Sequence, residues 1–210
     1  MKSLVVGMGI GNLYKAVLEE IGNQVVTVDL DASKADYTSV DMAISVHGKF
    51  DTVHICTPNF THITIARKVA PISRIVFIEK PGVATSDAWK QLVKDYPATR
   101  FMMVKNNQFR NEIKHFKDLA DQSDVVKVTW NNKNRVPSPG SWFTDKSLAF
   151  GGVSRDLIPH MLSYYCRIAD YKNGTQTVSH AEQRWQLDDI ESTDYGTINP
   201  NGVYNVDDVC

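Results

Sequence analysis

An α/β fold, with an N-terminal doubly wound parallel sheet and a small α+β domain after it, is predicted by three observations. Short apolar runs alternate with helical patterns through the first hundred residues. A glycine-rich turn follows directly on the first apolar run. Beyond about residue 105 the order changes to helix, alternating strand, long connection, helix and hairpin, the pattern of a small, mostly antiparallel sheet backed by helices. The boundaries that follow are 1–105 for the first domain and 106–210 for a shorter second one.

The elements of the first domain follow in order. "SLVV" is a buried-strand run, and Gly7-Met8-Gly9-Ile10-Gly11 comes at once after it. Leu13, Ala16, Val17, Glu20 and Ile21 recur at helical spacing, with only the glutamate interrupting the apolar stripe, and Gly22 caps the helix. "QVVTVDLD" is the second strand, with Asp29 at its tip, twenty residues after Gly9. Strand, glycine turn, helix, strand and acid form the dinucleotide-binding pattern of the Rossmann fold. Small residues let the backbone close on a pyrophosphate, and the helix N-terminus offers unpaired N–H groups and a positive dipole end. A carboxylate at Asp29 accepts from both ribose hydroxyls and repels a 2′-phosphate, so NAD is expected over NADP. Asn12 stands where the third glycine of G-x-G-x-x-G belongs, and Gly11, one place early, is expected to take over part of the close helix–strand packing.

The alternation continues with "DTVHIC" (51–56), broken by Thr57-Pro58-Asn59, and a helix at "HITIARKVA" (62–70). "RIVFIE" (74–79) reads as a fifth strand ended by Lys80-Pro81-Gly82, and "SDAWKQLVKDY" (86–96) as a helix capped by Ser86. "RFMMV" (100–104) reads as a sixth strand. The turns at Gly7–Gly11, Asp29, Thr57–Asn59 and Glu79–Pro81 all follow strands, so they share the carboxyl edge where ligands bind such sheets.

In the second domain "FRNEIKHFKDLA" (109–120) is an amphipathic helix, with Phe109, Ile113, Phe116 and Ala120 on one face. "DVVKVTWNN" reads as a strand with Val126, Val128 and Trp130 facing one way. Residues 132–150 form a connection long enough to be expected at a substrate pocket or a homodimer contact. "GGVSRDLIPHML" then opens a helix running to about Ile168, with Asp156 and His160 four residues apart on one stripe behind a Gly-Gly turn. Residues 177–187 alternate again, and "YGTI-NPNG-VYNV" reads as a hairpin turned by Pro200 and Gly202.

Composition sets the outer limits. The 210 residues are 42% apolar and 22% charged, with a formal net charge of −1, which is enough to bury a core and leaves no basic footprint for nucleic acid or an anionic membrane. Cys56, Cys166 and Cys210 have no metal-like spacing and read as free thiols of a reducing, cytoplasmic compartment. No apolar run is long enough to span a bilayer. Two glycosylation sequons, at 59–61 and 173–175, have no meaning in such a compartment. His47, His54, His115 and His180 have no partners spaced for a metal, so no metal is expected.

Taken in order, the Gly7-Met8-Gly9 turn, "CTPNFTH" (56–62), "EKPG" (79–82) and "GGVSRDLIPH" (151–160) resemble the Gfo/Idh/MocA oxidoreductases, the family of glucose–fructose oxidoreductase and inositol dehydrogenase. The resemblance covers nearly the whole chain, although the second domain is shorter than is usual there. It implies that Lys80, Asp156 and His160 face the nicotinamide and substrate, and that Thr57, Pro58, Asn59, His62 and Glu79 belong to segments lining the dinucleotide. His160 then suits the proton acceptor of an alcohol oxidation, Asp156 shares the substrate or orients the ring, and the Lys80 ammonium stabilises the developing alkoxide. The substrate class implied is a sugar, a sugar derivative or a related small alcohol or carbonyl compound. Two other readings stand beside this one. One is a non-catalytic dinucleotide-binding sensor or assembly protein. The other, of less weight, is a biliverdin reductase-like enzyme on a similar fold.

Overall fold

The computed structural model describes residues 1–132, 135–168 and 180–210. The chain divides into two compact units, Met1–Val104 and Lys105–Cys210.

The first unit is built on a five-stranded, all-parallel sheet. Its strands are β1 (Lys2–Val6), β2 (Gln24–Val28), β3 (Phe50–Ile55), β4 (Ser73–Ile78) and β5 (Arg100–Met103), in the order β2-β1-β3-β4-β5. The helices between them are α1 (Gly11–Glu20), α2 (Val40–His47), α3 (His62–Val69) and α4 (Ser86–Asp95). Strands β1 to β4 are rich in β-branched, apolar residues because a parallel sheet is covered on both faces, whereas the edge strand β5 reads Arg-Phe-Met-Met. One face carries the larger apolar core: Leu4, Val6, Val26, Val28, Val53, Ile55, Val76 and Ile78 pack with residues of α2, α3 and α4. The other face is mixed. Val5, Met8 and Leu18 form a small cluster there, beside the buried polar residues Ser3, Thr27, Thr52 and His54.

Three expectations about this unit are corrected. The sheet has five strands, which are the five segments named from the sequence, so the numbering there runs one too high and Lys80 follows the fourth strand. The stretch between β2 and β3, unassigned in the sequence, holds α2, capped by Ser39, whose hydroxyl accepts from Met42 N–H at 3.2 Å. The N-cap of α4 is Thr85, whose hydroxyl accepts from Ala88 N–H at 3.1 Å, and not Ser86. The apolar row Leu13, Val17 and Ile21 of α1 is exposed, and the row beginning at Gly11 and running to Leu18 meets the sheet. The helix carries two apolar rows, and the one headed by a glycine can approach the strands more closely.

His54 gives the first unit a pH dependence. Its ring stacks on Phe77 at 4.7 Å between centroids, and Nδ1 has no hydrogen-bond partner among the described residues. Burial pushes its pKa down to about 4. The unfolded chain takes up this proton near pH ~6.5, so stability is whole above that value and falls as the pH drops from there towards 4. The expected loss is about 2 kcal/mol at pH 5 relative to pH 7. Denaturant unfolding of the wild type and of His54→Leu at both pH values tests this, since the variant should lose that part of the slope. Equal slopes would show that the ring does not titrate as its burial requires.

The second unit contains α5 (Glu112–Ala120), α6 (Lys146–Ala149), α7 (Val153–Asp156) and α8 (Ile158–Ile168). The expected antiparallel sheet is absent from its described residues, which hold two isolated antiparallel bridges, Gly140–Val203 and Glu182–Val209, and no strand. The strand expected at 124–132 does not form: no strand neighbours it among the described residues, and Val125, Val126 and Val128 are all exposed. The turn of the expected hairpin forms, with Gly202 N–H donating to Asn199 O at 3.1 Å. Its arms do not pair with each other, because the long connection lies between them. Ser138 N–H donates to Tyr195 O and Asn199 N–H to Pro139 O, both at 2.8 Å. Of the 177–187 alternation, residues 177–179 lie outside the described residues, as does the sequon at 173–175. The single helix expected to carry both Asp156 and His160 is two helices, broken at Leu157. Pro159 has no N–H to continue the ladder, so α7 ends and α8 restarts with Pro159 in its first turn.

Candidate functional site

In the first unit the strand order reverses between β1 and β3, which puts a crevice at the carboxyl ends of those strands. The turn after β1 forms one wall. Gly7 has φ 90°, and its N–H donates to Val28 O at 2.8 Å. A Cβ on Gly7 would lie 2.8 Å from both Cys56 O and Thr57 Cγ2, so this turn presses against the turn after β3. Gly9 and Ile10 are exposed, and their N–H groups have no partner among the described residues. A Cβ on Gly9 would meet nothing within 4 Å. Gly11 begins α1, and a Cβ there would stand 3.0 Å from Val5 Cγ1. It therefore does the close packing of the third glycine, in a turn one residue shorter than G-x-G-x-x-G. Asn12 is exposed and braces the turn by donating its side-chain amide to Met8 O.

Asp29 stands at the tip of β2. Its Oδ2 accepts from Met8 N–H at 2.6 Å and its Oδ1 from Asp31 N–H at 3.0 Å. The carboxylate thus anchors the glycine turn. Lys34 pairs with Asp31 at 3.1 Å and is also held charged by Asp29, a cation that the sequence reading passed over.

The turn after β3 is braced internally. Thr57 Oγ1 and Thr61 Oγ1 are 2.6 Å apart, and Thr61 N–H donates to Pro58 O at 3.0 Å. Asn59 opens the short 3₁₀ turn 59–61 and is half-buried. His62 lies beneath this turn with no exposed surface.

Glu79 is a buried carboxylate just beyond β4. The Tyr14 hydroxyl donates to its Oε1, and Lys80 N–H to its Oε2 at 3.1 Å. Burial and the Glu79 charge push both the Tyr14 phenol and the Cys56 thiol well above their ordinary ranges, so both stay protonated at neutral pH. Lys80 is half-buried in a turn closed by Gly82 N–H donating to Glu79 O at 2.9 Å. Tyr14 was missed in the sequence. The available signal was its place one turn after Gly11 on the buried row.

In the second unit the Gly-Gly turn, expected from the sequence to let the backbone approach the cofactor closely, has another close neighbour. A Cβ on Gly152 would fall 1.8 Å from Asp207 O, so the turn approaches the chain's own backbone. The Asp207 carboxylate accepts from Gly152 N–H at 2.9 Å, from Ser154 N–H at 2.7 Å and from the Ser154 hydroxyl at 3.0 Å. Burial alone would raise this carboxyl's pKa, but those bonds outweigh it and hold it below the usual range. Asp156 is the last residue of α7, with its N–H donating to Gly152 O at 2.8 Å. His160 lies in the first turn of α8, its ring tilted against Trp130 at 5.9 Å. Among the described residues, no three His, Cys, Asp or Glu side chains gather as metal ligands, and no helix is long and apolar enough to cross a membrane.

Residues 4–104 match the model of the Gfo/Idh/MocA oxidoreductase family, NAD-binding Rossmann fold. Over 167 residues the chain is 23% identical to Oxidoreductase P35 of Formosa agariphila, a match covering 70% of this chain and 52% of that protein. It is 25% identical over 118 residues to the D-xylose 1-dehydrogenase [NADP(+)] of Haloarcula marismortui, covering 51% of this chain and 32% of that one. The fold is also that of GenD2 from gentamicin A biosynthesis, solved in complex with NAD, with a TM-score of 0.65 and 23% identity over 80% of this chain and 53% of that one. The chain spans about half the length of the first of these curated relatives.

Proposed function

Because residues 4–104 belong to the Gfo/Idh/MocA oxidoreductase family, with its NAD-binding Rossmann fold, we propose that this chain binds NAD along the carboxyl edge of its parallel sheet. We propose further that it exchanges a hydride between the nicotinamide and a sugar, a sugar derivative or a related small alcohol or carbonyl compound. The observation that carries the reading is the glycine turn. Its Gly9 and Ile10 N–H groups have no partner among the described residues, a Cβ on Gly9 would meet nothing within 4 Å, and the turn is held to the sheet by Asp29. That arrangement fits a pyrophosphate. The relation to a D-xylose 1-dehydrogenase supports a sugar-like substrate.

When bound, NAD supplies the hydride acceptor at the substrate carbon. The remaining work falls to the chain. Gly9, Ile10 and the start of α1 hold the phosphates, and Asp29 accepts from the ribose. In the oxidation, His160 takes the hydroxyl proton, Lys80 as an ammonium stabilises the alkoxide oxygen, and Asp156 orients the substrate or the imidazole. In the reduction the same imidazolium returns a proton to the carbonyl oxygen. Titrating NADH against the protein by fluorescence, and then offering a panel of sugars and nucleotide sugars with NAD, tests both halves. Failure to bind NADH sinks the reading. Binding with no turnover on the panel favours a non-catalytic dinucleotide-binding protein.

NADH is expected to bind more tightly than NADPH, because a carboxylate at Asp29 repels a 2′-phosphate and the nearby Lys34 is already paired with Asp31. Asp29→Ala should narrow the gap. It should also weaken NADH, since Met8 N–H loses its acceptor. Equal affinities, or tighter NADPH, in the wild type would refute the assignment.

A further inference from the structure

We propose that His62 is a positioning residue whose ring sets the gap between the Thr57 turn and the Lys80 turn, and through that gap the placing of Lys80 at the nicotinamide. The last step rests on the function proposed above.

The ring is fully buried at the start of α3, and both of its nitrogens face backbone carbonyls of the two turns. Nε2 lies 2.8 Å from Thr57 O, five residues away, and Nδ1 lies 2.8 Å from Gly82 O, twenty residues away. Gly82 closes the turn that carries Lys80, through its N–H to Glu79 O at 2.9 Å. The Thr57 turn in turn abuts the glycine turn, where a Cβ on Gly7 would collide with Cys56 O and Thr57 Cγ2. His62 therefore ties two turns of the carboxyl edge together from below, one of which abuts the glycine turn, without reaching the surface. A side chain with no exposed area adds nothing to a ligand directly, so its effect on the site passes through the backbones it holds.

The ring chemistry fits the task. A neutral imidazole has one N–H and serves one carbonyl as donor, whereas an imidazolium serves both. Burial pushes the His62 pKa down and the Lys80 charge adds to that effect, while the two carbonyls and the Glu79 carboxylate push it back up. In either state at least one turn is held by a bond shielded from water.

The test uses the full chain as wild type, His62→Ala and His62→Gln, with NADH as the probe. Amide hydrogen exchange is followed in peptides covering 57–62 and 80–84, with β1 and β3 as internal references. In His62→Ala both turns should exchange faster while β1 and β3 keep their protection, and the NADH dissociation constant should rise at least about tenfold, because the Thr57 turn loosens against the glycine turn that it abuts. His62→Gln has one amide that can reach one carbonyl, so it should restore protection to one turn only and recover part of the affinity. A merely space-filling role predicts instead that both substitutions act through β1 and β3 together, which would overturn the proposal. Unchanged exchange at both turns would also overturn it. Should His62→Ala fail to fold, His62→Gln decides alone, because equal protection of both turns at wild-type NADH affinity contradicts a two-point clamp. A wild type that does not bind NADH sinks the functional reading and the Lys80 step, and the exchange measurements still decide whether His62 clamps the turns.

Discussion

Lys80→Ala and His160→Ala should each lower turnover by roughly 10²–10⁴-fold, the range typical of a lost proton-transfer or charge-stabilising group. NADH affinity should change by less than about threefold, because such groups act on the reacting centre and contribute little uniform binding. The local structure explains why the Lys80 side chain can be removed without dismantling its turn. The turn is held by backbone N–H groups and by Glu79: Lys80 N–H donates to the Glu79 carboxylate Oε2 at 3.1 Å, and Gly82 N–H to Glu79 O at 2.9 Å. Neither bond involves the ammonium. His160 is in a similar position, because its N–H donates to Leu157 O at 3.0 Å whatever the side chain. Steady-state kinetics on the first active sugar, with NADH titrations of each variant, separate the outcomes. If kcat is unchanged in both variants, neither residue is catalytic. A parallel loss of NADH affinity and turnover would move the residue from chemistry to cofactor binding. If no substrate is found and NADH still binds, the non-catalytic reading leads.

The first unit was legible in the sequence because a parallel sheet buried on both faces leaves continuous apolar runs, and glycine, proline and asparagine mark where each ends. The turns that follow those runs fall on one edge by topology alone, so the candidate cofactor residues could be gathered without coordinates. What failed there was local. Helix α2 has exposed apolar residues at Met42 and Val46 and so shows no clean stripe, although Ser39 ahead of it was a readable cap. Helix α1 has two apolar rows, and spacing alone cannot choose between them. Gly11 chooses, through its approach to Val5.

The second unit was less legible for a different reason. Alternation at Val126, Val128 and Trp130 says that a segment could be a strand, but a strand exists only with a partner, and the described residues provide none. The Gly-Gly turn reads in the sequence as a place of close approach to a cofactor, and the structure shows it against the chain's own backbone. What it approaches, Asp207, lies 55 residues further on, at a separation that leaves no local pattern. The break at Leu157 could have been read more firmly from Pro159, since a helix carrying Asp156 and continuing through Pro159 would have had to forgo a backbone bond.

Gly7→Ala is expected to cost the first unit about 3 kcal/mol or more, from two sources that add at one atom. The backbone φ of 90° lies in the region that side chains rarely adopt, which alone costs on the order of 1–3 kcal/mol. The new Cβ would also lie 2.8 Å from Cys56 O and 2.9 Å from Cys56 C, and main-chain atoms cannot swing aside as the end of a flexible side chain can. Relief requires the turns after β1 and β3 to move apart. Those two turns frame the crevice where the strand order reverses, so the same movement should disturb the Gly9 and Ile10 N–H groups. Thermal unfolding should therefore show a midpoint lowered by more than about 10 °C, since each kcal/mol is worth roughly 4–8 °C in a unit of this size. Measured below the new midpoint, NADH affinity should fall as well. Gly9→Ala is the control, because a Cβ there meets nothing within 4 Å. It should leave the midpoint nearly unchanged and act on NADH alone, by crowding the pyrophosphate. If the two substitutions lower the midpoint equally, the close approach of the turns is not what holds the edge together. If Gly9→Ala leaves NADH affinity untouched, the pyrophosphate does not lie over that turn.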